Sequence, residues 1–180
     1  MDSEKTYDKS LKALKELLTL YPDDISGNNM MGVLHVRLGE REKAIEYYGN
    51  AIKAGTQDVV LYTNQAAVYR ALGMYDKAIE VCENYIEKFG DNAFIRRAMA
   101  YAYLNKGDNE QALVEADKAI SLSGESWRNI IQKGDSYLYM DEWDKAEKEY
   151  QKLLLDVKES LAYGYGLGRM QSLCLIRGRF

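Results

Sequence analysis

The chain has 180 residues, 47% hydrophobic and 29% charged, with a net charge of −4 at pH 7; this allows a buried core and argues against nucleic acid as the main partner. No run approaches the roughly 18 apolar residues of a membrane span, and the amino-terminal MDSEKTYDKS lacks an apolar signal core. Two widely separated cysteines, Cys82 and Cys174, are too few for a disulfide scaffold, so a reduced, cytoplasmic protein without membrane contact is the expectation.

The predicted elements begin with a helix over 6–20, on which Leu11, Leu14, Leu17 and Leu18 recur at helical spacing, and a break at LTLYPDD. Two helices follow, over 26–38 and 42–54, separated by a short turn. Ala44, Ile45, Tyr48, Ala51 and Ile52 give the second of them a buried stripe. From this point the chain repeats itself. LGEREKAIEYYGNAI returns as LGMYDKAIEVCENYI, then as KGDNEQALVEADKAI, then as MDEWDKAEKEYQKLL. Ala44, Ala78, Ala112 and Ala146 are spaced by 34, as are His35, Tyr69, Tyr103 and Tyr137. Gly39, Gly73 and Gly107 form a third column, completed by Asp141, and Gly32, Ala66, Ala100 and Gly134 form a fourth.

Each column has a physical reading. Gly39 and its equivalents lie just past the first helix, where a left-handed backbone is most easily supplied by glycine. The Gly32 column lets two helices approach closely, and the recurrent alanine serves the same contact from the second helix. One such hairpin cannot bury both of its faces, so neighbouring units must stack. An all-α fold follows.

At these residues the chain resembles the tetratricopeptide repeat family, whose unit is a 34-residue helix–turn–helix. Full units fall at 25–58, 59–92, 93–126 and 127–160, preceded by a half repeat over 6–24 and followed by a terminal helix over 161–180, all within one domain, 1–180. Pro22 matches the family's proline position; Thr56, Gly90, Gly124 and Lys158 depart from it. Asn28, Tyr62, Arg96 and Ile130 stand where the family has an early tryptophan. After Lys158 the register slips, with Gly178, Arg179 and Phe180 reading as a turn. The resemblance implies a right-handed superhelical α-solenoid of stacked antiparallel helix pairs, the first helix of each pair lining a concave groove.

No catalytic or metal set is legible, and no cofactor is expected. His35, the one histidine, occupies the tyrosine column and reads as a packing residue. With two dispersed cysteines it does not make a zinc site, which needs grouped ligands. GYGLG, over 164–168, has Arg169 where a dinucleotide fingerprint needs its third glycine, and no strand precedes it; its glycines read as thinning one helix face. Cys82 reads as a small buried hydrophobe. Glu46, Glu80, Lys118 and Glu149 read as a solvated outer face.

In the family, ligands are contacted from the second, fifth, ninth, twelfth and thirteenth positions of each first helix. Carried onto this chain, the resemblance implies a partner-binding groove that includes Asn29, Arg37, Thr63, Asn64 beside it, Arg70, Arg97, Tyr101, Asn105, Arg128, Asp135 and Tyr139. Four arginines accompany one acid there, although the chain as a whole is acidic. Arginine can fork onto carboxylates and tyrosine gives contact area at low entropy cost. The expected function is therefore non-enzymatic: an adaptor or scaffold that binds an acidic peptide or partner helix. Arginines that pair with acids of neighbouring helices, or cover apolar surface with their stems, are the plainer alternative.

The two terminal half units suggest a further alternative, a homo-oligomer formed head-to-tail through the chain ends. A chaperone carboxyl-terminal tail is not an expected ligand. Family members that hold one use five residues on three successive first helices; with Asn64 as the middle asparagine, the other four positions fall on Asn29, Val33, Phe94 and Ala98. None supplies the lysines, and valine cannot bond an oxyanion. Titration of the chain with a peptide ending in Glu-Glu-Val-Asp is therefore expected to show no saturable binding; clear micromolar binding would contradict the reading.

Overall fold

The structure, a computed structural model, describes residues 2–124, 126–155 and 160–177. All regular structure among the described residues is helical, and it falls into two compact units, Met1–Gly90 and Asp91–Phe180. The first unit holds α1 (Asp2–Leu20), α2 (Ile25–Arg37), α3 (Arg41–Lys53), α4 (Val59–Ala71) and α5 (Tyr75–Phe89). The second holds α6 (Ala93–Lys106), α7 (Asn109–Ser123), α8 (Trp127–Tyr139), α9 (Trp143–Leu155) and α10 (Ser160–Arg177). The fold class is an all-α solenoid of antiparallel helix pairs. In the first pair, the helix ends agree with the expected 26–38 and 42–54 to within a residue. Helix α1 extends further toward the amino terminus than the expected 6–20.

The first helices α2, α4, α6 and α8 each start on a side-chain cap. Asp24, Asp58, Asn92 and Ser126 accept hydrogen bonds from the amides of Gly27 (2.6 Å), Val60 (2.9 Å), Phe94 (2.8 Å) and Asn129 (3.4 Å). Each satisfies an amide that has no partner within its helix. These caps are themselves spaced by 34, a column that the sequence reading passed over. At the other end of these helices, Gly39, Gly73 and Gly107 have φ of 77°, 74° and 89°, and Asp141 takes φ 59° in the same place. The left-handed turn is thus kept in the one repeat that lacks a glycine for it.

The close approach inside each pair has a measurable cause. A Cβ on Gly32 would lie 2.5 Å from the Tyr48 ring, and one on Gly134 would lie 2.3 Å from the Tyr150 ring. Both tyrosines are buried, at 2% and 0% exposure. At the equivalent positions of the second and third repeats, Ala66 goes with Cys82 and Ala100 with Ala116, all buried. Glycine therefore goes with tyrosine, and alanine with a smaller side chain. A ring on the second helix thus requires glycine on the first, whereas a small side chain there admits alanine.

The tryptophan position of the family is filled in four different ways. Asn28 donates its amide to the Pro22 and Asp24 carbonyls, and Tyr62 meets the rings of Tyr85 and Phe89 edge-on at 5.0 and 6.0 Å. Arg96 donates to Asp91 at 2.6 Å and to Glu115 at 2.9 Å, which holds the Asp91 carboxyl below its ordinary range. Ile130 joins Ile131 and Leu153 in a core against Trp127. Buried glutamines add ties: Gln65 donates to the Ile45 carbonyl at 3.1 Å, and Gln132 to the Arg97 carbonyl at 3.0 Å.

His35 is buried and stacked on Tyr47 with ring centroids 5.2 Å apart, and its Nδ1 lies 2.5 Å from Glu40 Oε2. Cys82 is fully buried. Glu149 departs from its expected place on the solvated face: its side chain is 12% exposed and its carboxylate lies 2.9 Å from Lys152. Within GYGLG only Gly166 thins a contact, since its Cβ would stand 2.9 Å from Leu153, whereas Gly164 and Gly168 face open space. Residues two apart point to different sides of a helix, so the three glycines could not share one face. The expected turn at Gly178–Phe180 lies outside the described residues.

The complementarity between glycine and tyrosine makes a quantitative expectation. Gly32→Ala should cost about 1–3 kcal/mol in denaturant unfolding through overpacking. The same change in a Tyr48→Cys background should cost less by on the order of 1 kcal/mol, because the two sites share one contact. An equal cost in both backgrounds would contradict the packing account.

Candidate functional site

In the first unit the predicted site residues lie on α2 and α4. Asn64 borders a pocket of about 220 Å³ lined by Val36, Arg41, Tyr48, Ala67, Val68 and Ala71. Its lining is mostly apolar, with Asn64, Arg41 and the Tyr48 hydroxyl as polar groups. Arg41 opens α3 and was absent from the sequence-derived set, which drew on first helices alone. Arg37 is exposed in the last turn of α2, and neither it nor Arg41 has a carboxylate at ion-pair distance among the described residues. Asn29 is half-buried with its Oδ1 unpartnered, and Thr63 spends its hydroxyl on the Val60 carbonyl at 3.1 Å. Arg70 is half-buried in the last turn of α4.

The second unit gathers more of the set. Gln132 ties α8 to the Arg97 carbonyl of α6, and Arg128 lies one helical turn before Gln132 on the same face. Arg97 and Arg128 are thereby brought together. Burial, and then the neighbouring Arg128 charge, push the Arg97 guanidinium below its ordinary range, while Tyr101 works the other way. Each guanidinium lies over an aromatic ring: Arg97 is 5.0 Å from the Phe94 centroid, and Arg128 is 4.1 Å from that of Trp127. Trp127 also stacks on Tyr165 of α10 at 5.0 Å, with 15° between the planes. Phe94 is 55% exposed and Tyr165 50%. Among the described residues, no carboxylate lies at ion-pair distance from Arg97 or Arg128. The edges of both guanidinium groups remain available as donors.

Asp135 occupies a different environment. It is 6% exposed, accepts a hydrogen bond from the Tyr150 hydroxyl at 2.7 Å, and accepts another from Arg169 at 2.7 Å. Burial raises its carboxyl above the ordinary range, opposed by Tyr150 and Arg169. It belongs to the packing of α8, α9 and α10 and presents no carboxylate to an open face. Arg169 follows Asp135 by 34 residues, as Gly168 follows Gly134. Gly168 nevertheless meets no atom within 4 Å, unlike Gly134. Tyr139 is 64% exposed and Asn105 is exposed at the end of α6, whereas Tyr101 is half-buried. Trp127 and Tyr165 were missed because the family's contact positions skip the first residue of the helix and the slip obscured α10. The signal available was the Trp127–Arg128 pair itself, aromatic and cationic at one helix start. On α10, Leu175 and Ile176 are 59% and 57% exposed.

Among the described residues no group of three His, Cys, Asp or Glu side chains could hold a metal ion, and no helix is long and apolar enough to cross a membrane.

Two family profiles described as tetratricopeptide repeat match the chain, over residues 29–93 and 98–126. The Hsp70-Hsp90 organizing protein of Triticum aestivum is 27% identical over 114 residues, which are 62% of this chain and 20% of that protein. The chain thus spans about a fifth of the length of the curated relatives it matches. A tetratricopeptide repeat protein of Parabacteroides merdae superposes with a TM-score of 0.80 at 16% identity, covering 99% of this chain and 68% of that one. One from Thermus thermophilus gives 0.73 at 17% identity, covering 94% and 93%. These likenesses agree with the 34-residue columns, the capped first helices and the left-handed turns: the chain belongs to the tetratricopeptide repeat family.

Proposed function

We propose that the chain is a non-enzymatic protein-interaction adaptor whose first-helix faces receive an acidic peptide or partner helix. The observation that carries this reading is the pair Arg97 and Arg128, held on aromatic rings without a carboxylate partner in a chain of net charge −4. Arg97 is half-buried and Arg128 exposed, and a half-buried cation such as Arg97 normally finds a counter-charge inside its own fold. Arg96 and Arg169 do so here, on Asp91, Glu115 and Asp135. A guanidinium stacked on a ring instead keeps its orientation and its donors, and it can fork onto a carboxylate that arrives from outside. Phe94, Tyr139 and Tyr165 add exposed aromatic surface to the same unit, the composition of recognition faces.

The first unit adds an apolar pocket beside Asn64 with Arg41 at its edge, suited to an aliphatic side chain of the same kind of segment. Family membership and the likeness to an Hsp70-Hsp90 organizing protein support an adaptor role. The missing clamp lysines separate this face from one that takes a chaperone tail.

Selection of random peptides on the full chain tests the proposal. Recovered segments should be enriched in Asp and Glu, and Arg97→Glu with Arg128→Glu should weaken their binding by at least about 100-fold, as loss of two charge-assisted contacts implies. Segments without acidic enrichment, or binding indifferent to the double reversal, would contradict it.

A further inference from the structure

We propose that Arg97 and Arg128, supported by Phe94 and Trp127, form a seat for a phosphoryl group carried by a residue of the partner segment. The inference rests on the acidic-segment reading and sharpens the ligand class at that same face. Three observations lead to it. The Gln132 amide on the Arg97 carbonyl, at 3.0 Å, brings the start of α8 against α6, so the two guanidinium groups share one side of the second unit. Each guanidinium carbon lies over a ring, 5.0 and 4.1 Å from the centroid, a contact that uses the face of the cation and not its N–H donors. Neither has a carboxylate partner among the described residues, although the same unit neutralises Arg96 with two acids and Arg169 with one.

The charge arithmetic favours phosphate over a single carboxylate. Two arginines present a charge of +2, and they repel one another until an anion arrives. One carboxylate supplies −1 and forks onto one guanidinium. A phosphorylated side chain supplies about −1.5 to −2 with three acceptor oxygens, enough to engage both. Two neighbouring acidic side chains could match the charge, but each would have to be ordered separately, at an entropic cost a single phosphoryl group does not incur. The exposed ring of Phe94 under Arg97, and Trp127 under Arg128 with Tyr165 stacked on it, supply the apolar side.

The chain has two tryptophans, Trp127 and Trp143, so a Trp143→Phe variant makes Trp127 the single emitter, directly beneath Arg128. Titrating that variant with N-acetyl-phosphoserine methylamide and with N-acetyl-glutamate methylamide reads the seat without any need for a known partner sequence. The phosphoserine derivative should produce a saturable change with an affinity about tenfold tighter, corresponding to one extra charge in contact. Arg128→Ala should abolish that preference. Arg128→Lys, which keeps the charge but lacks the planar fork, should reduce it to about threefold or less. Equal affinity for the two derivatives would overturn the phosphoryl assignment while leaving the acidic-segment reading to its own selection experiment. A preference that survives Arg128→Ala, or no saturable response to the phosphoserine derivative, would overturn it as well.

Discussion

Everything else in this chain depends on how closely the two helices of a repeat can approach. That distance is set where a residue without a bulky side chain on the first helix faces a ring or a smaller group on the second. Gly32 against Tyr48, and Gly134 against Tyr150, leave no room for even one methyl group. The same position is met by Ala66 with Cys82 and by Ala100 with Ala116. Because protein interiors are close-packed, a change on one side of this contact has to be answered on the other. Once it is set, the capped start and the left-handed end of each first helix determine which of its side chains face outward.

The faces so displayed use one residue type for opposite ends. Arg96 is held between Asp91 and Glu115, and Arg169 on Asp135; both are spent inside the fold. Arg97 and Arg128 are adjacent in sequence to a structural arginine and to a tryptophan, yet they rest on ring faces with their charge unanswered. Stacking on an aromatic ring is worth less than a buried ion pair and costs less desolvation. It therefore orients a guanidinium without consuming it. Arg37 and Arg41 of the first unit also lack a carboxylate at ion-pair distance among the described residues; what sets Arg97 and Arg128 apart is the ring under each guanidinium.

Much of the fold was legible from spacing alone. The alanine, tyrosine and glycine columns specify the helix pairs, and the register alone puts Asp141 at the turn where it takes φ 59°. The cap column of Asp24, Asp58, Asn92 and Ser126 was equally periodic but mixes three residue types, so it was passed over. The surface was less legible. Repeat position assigns Arg97 and Arg128 to first helices, α6 and α8. It does not say which partner a charge will find: Asp135 shares the outward register and is nevertheless covered by Tyr150 and Arg169. Trp127 and Tyr165 come together across helices whose relation a single repeat cannot reveal.

The central claim is that an acidic segment seats on the first helices of the second unit. Hydrogen–deuterium exchange of the full chain, with and without a saturating acidic segment, tests it most directly. Added protection is predicted in the first turns of α6 and α8, around Phe94–Arg97 and Trp127–Ile131. Protection confined to α7 and α9, with α6 and α8 unchanged, would contradict the account.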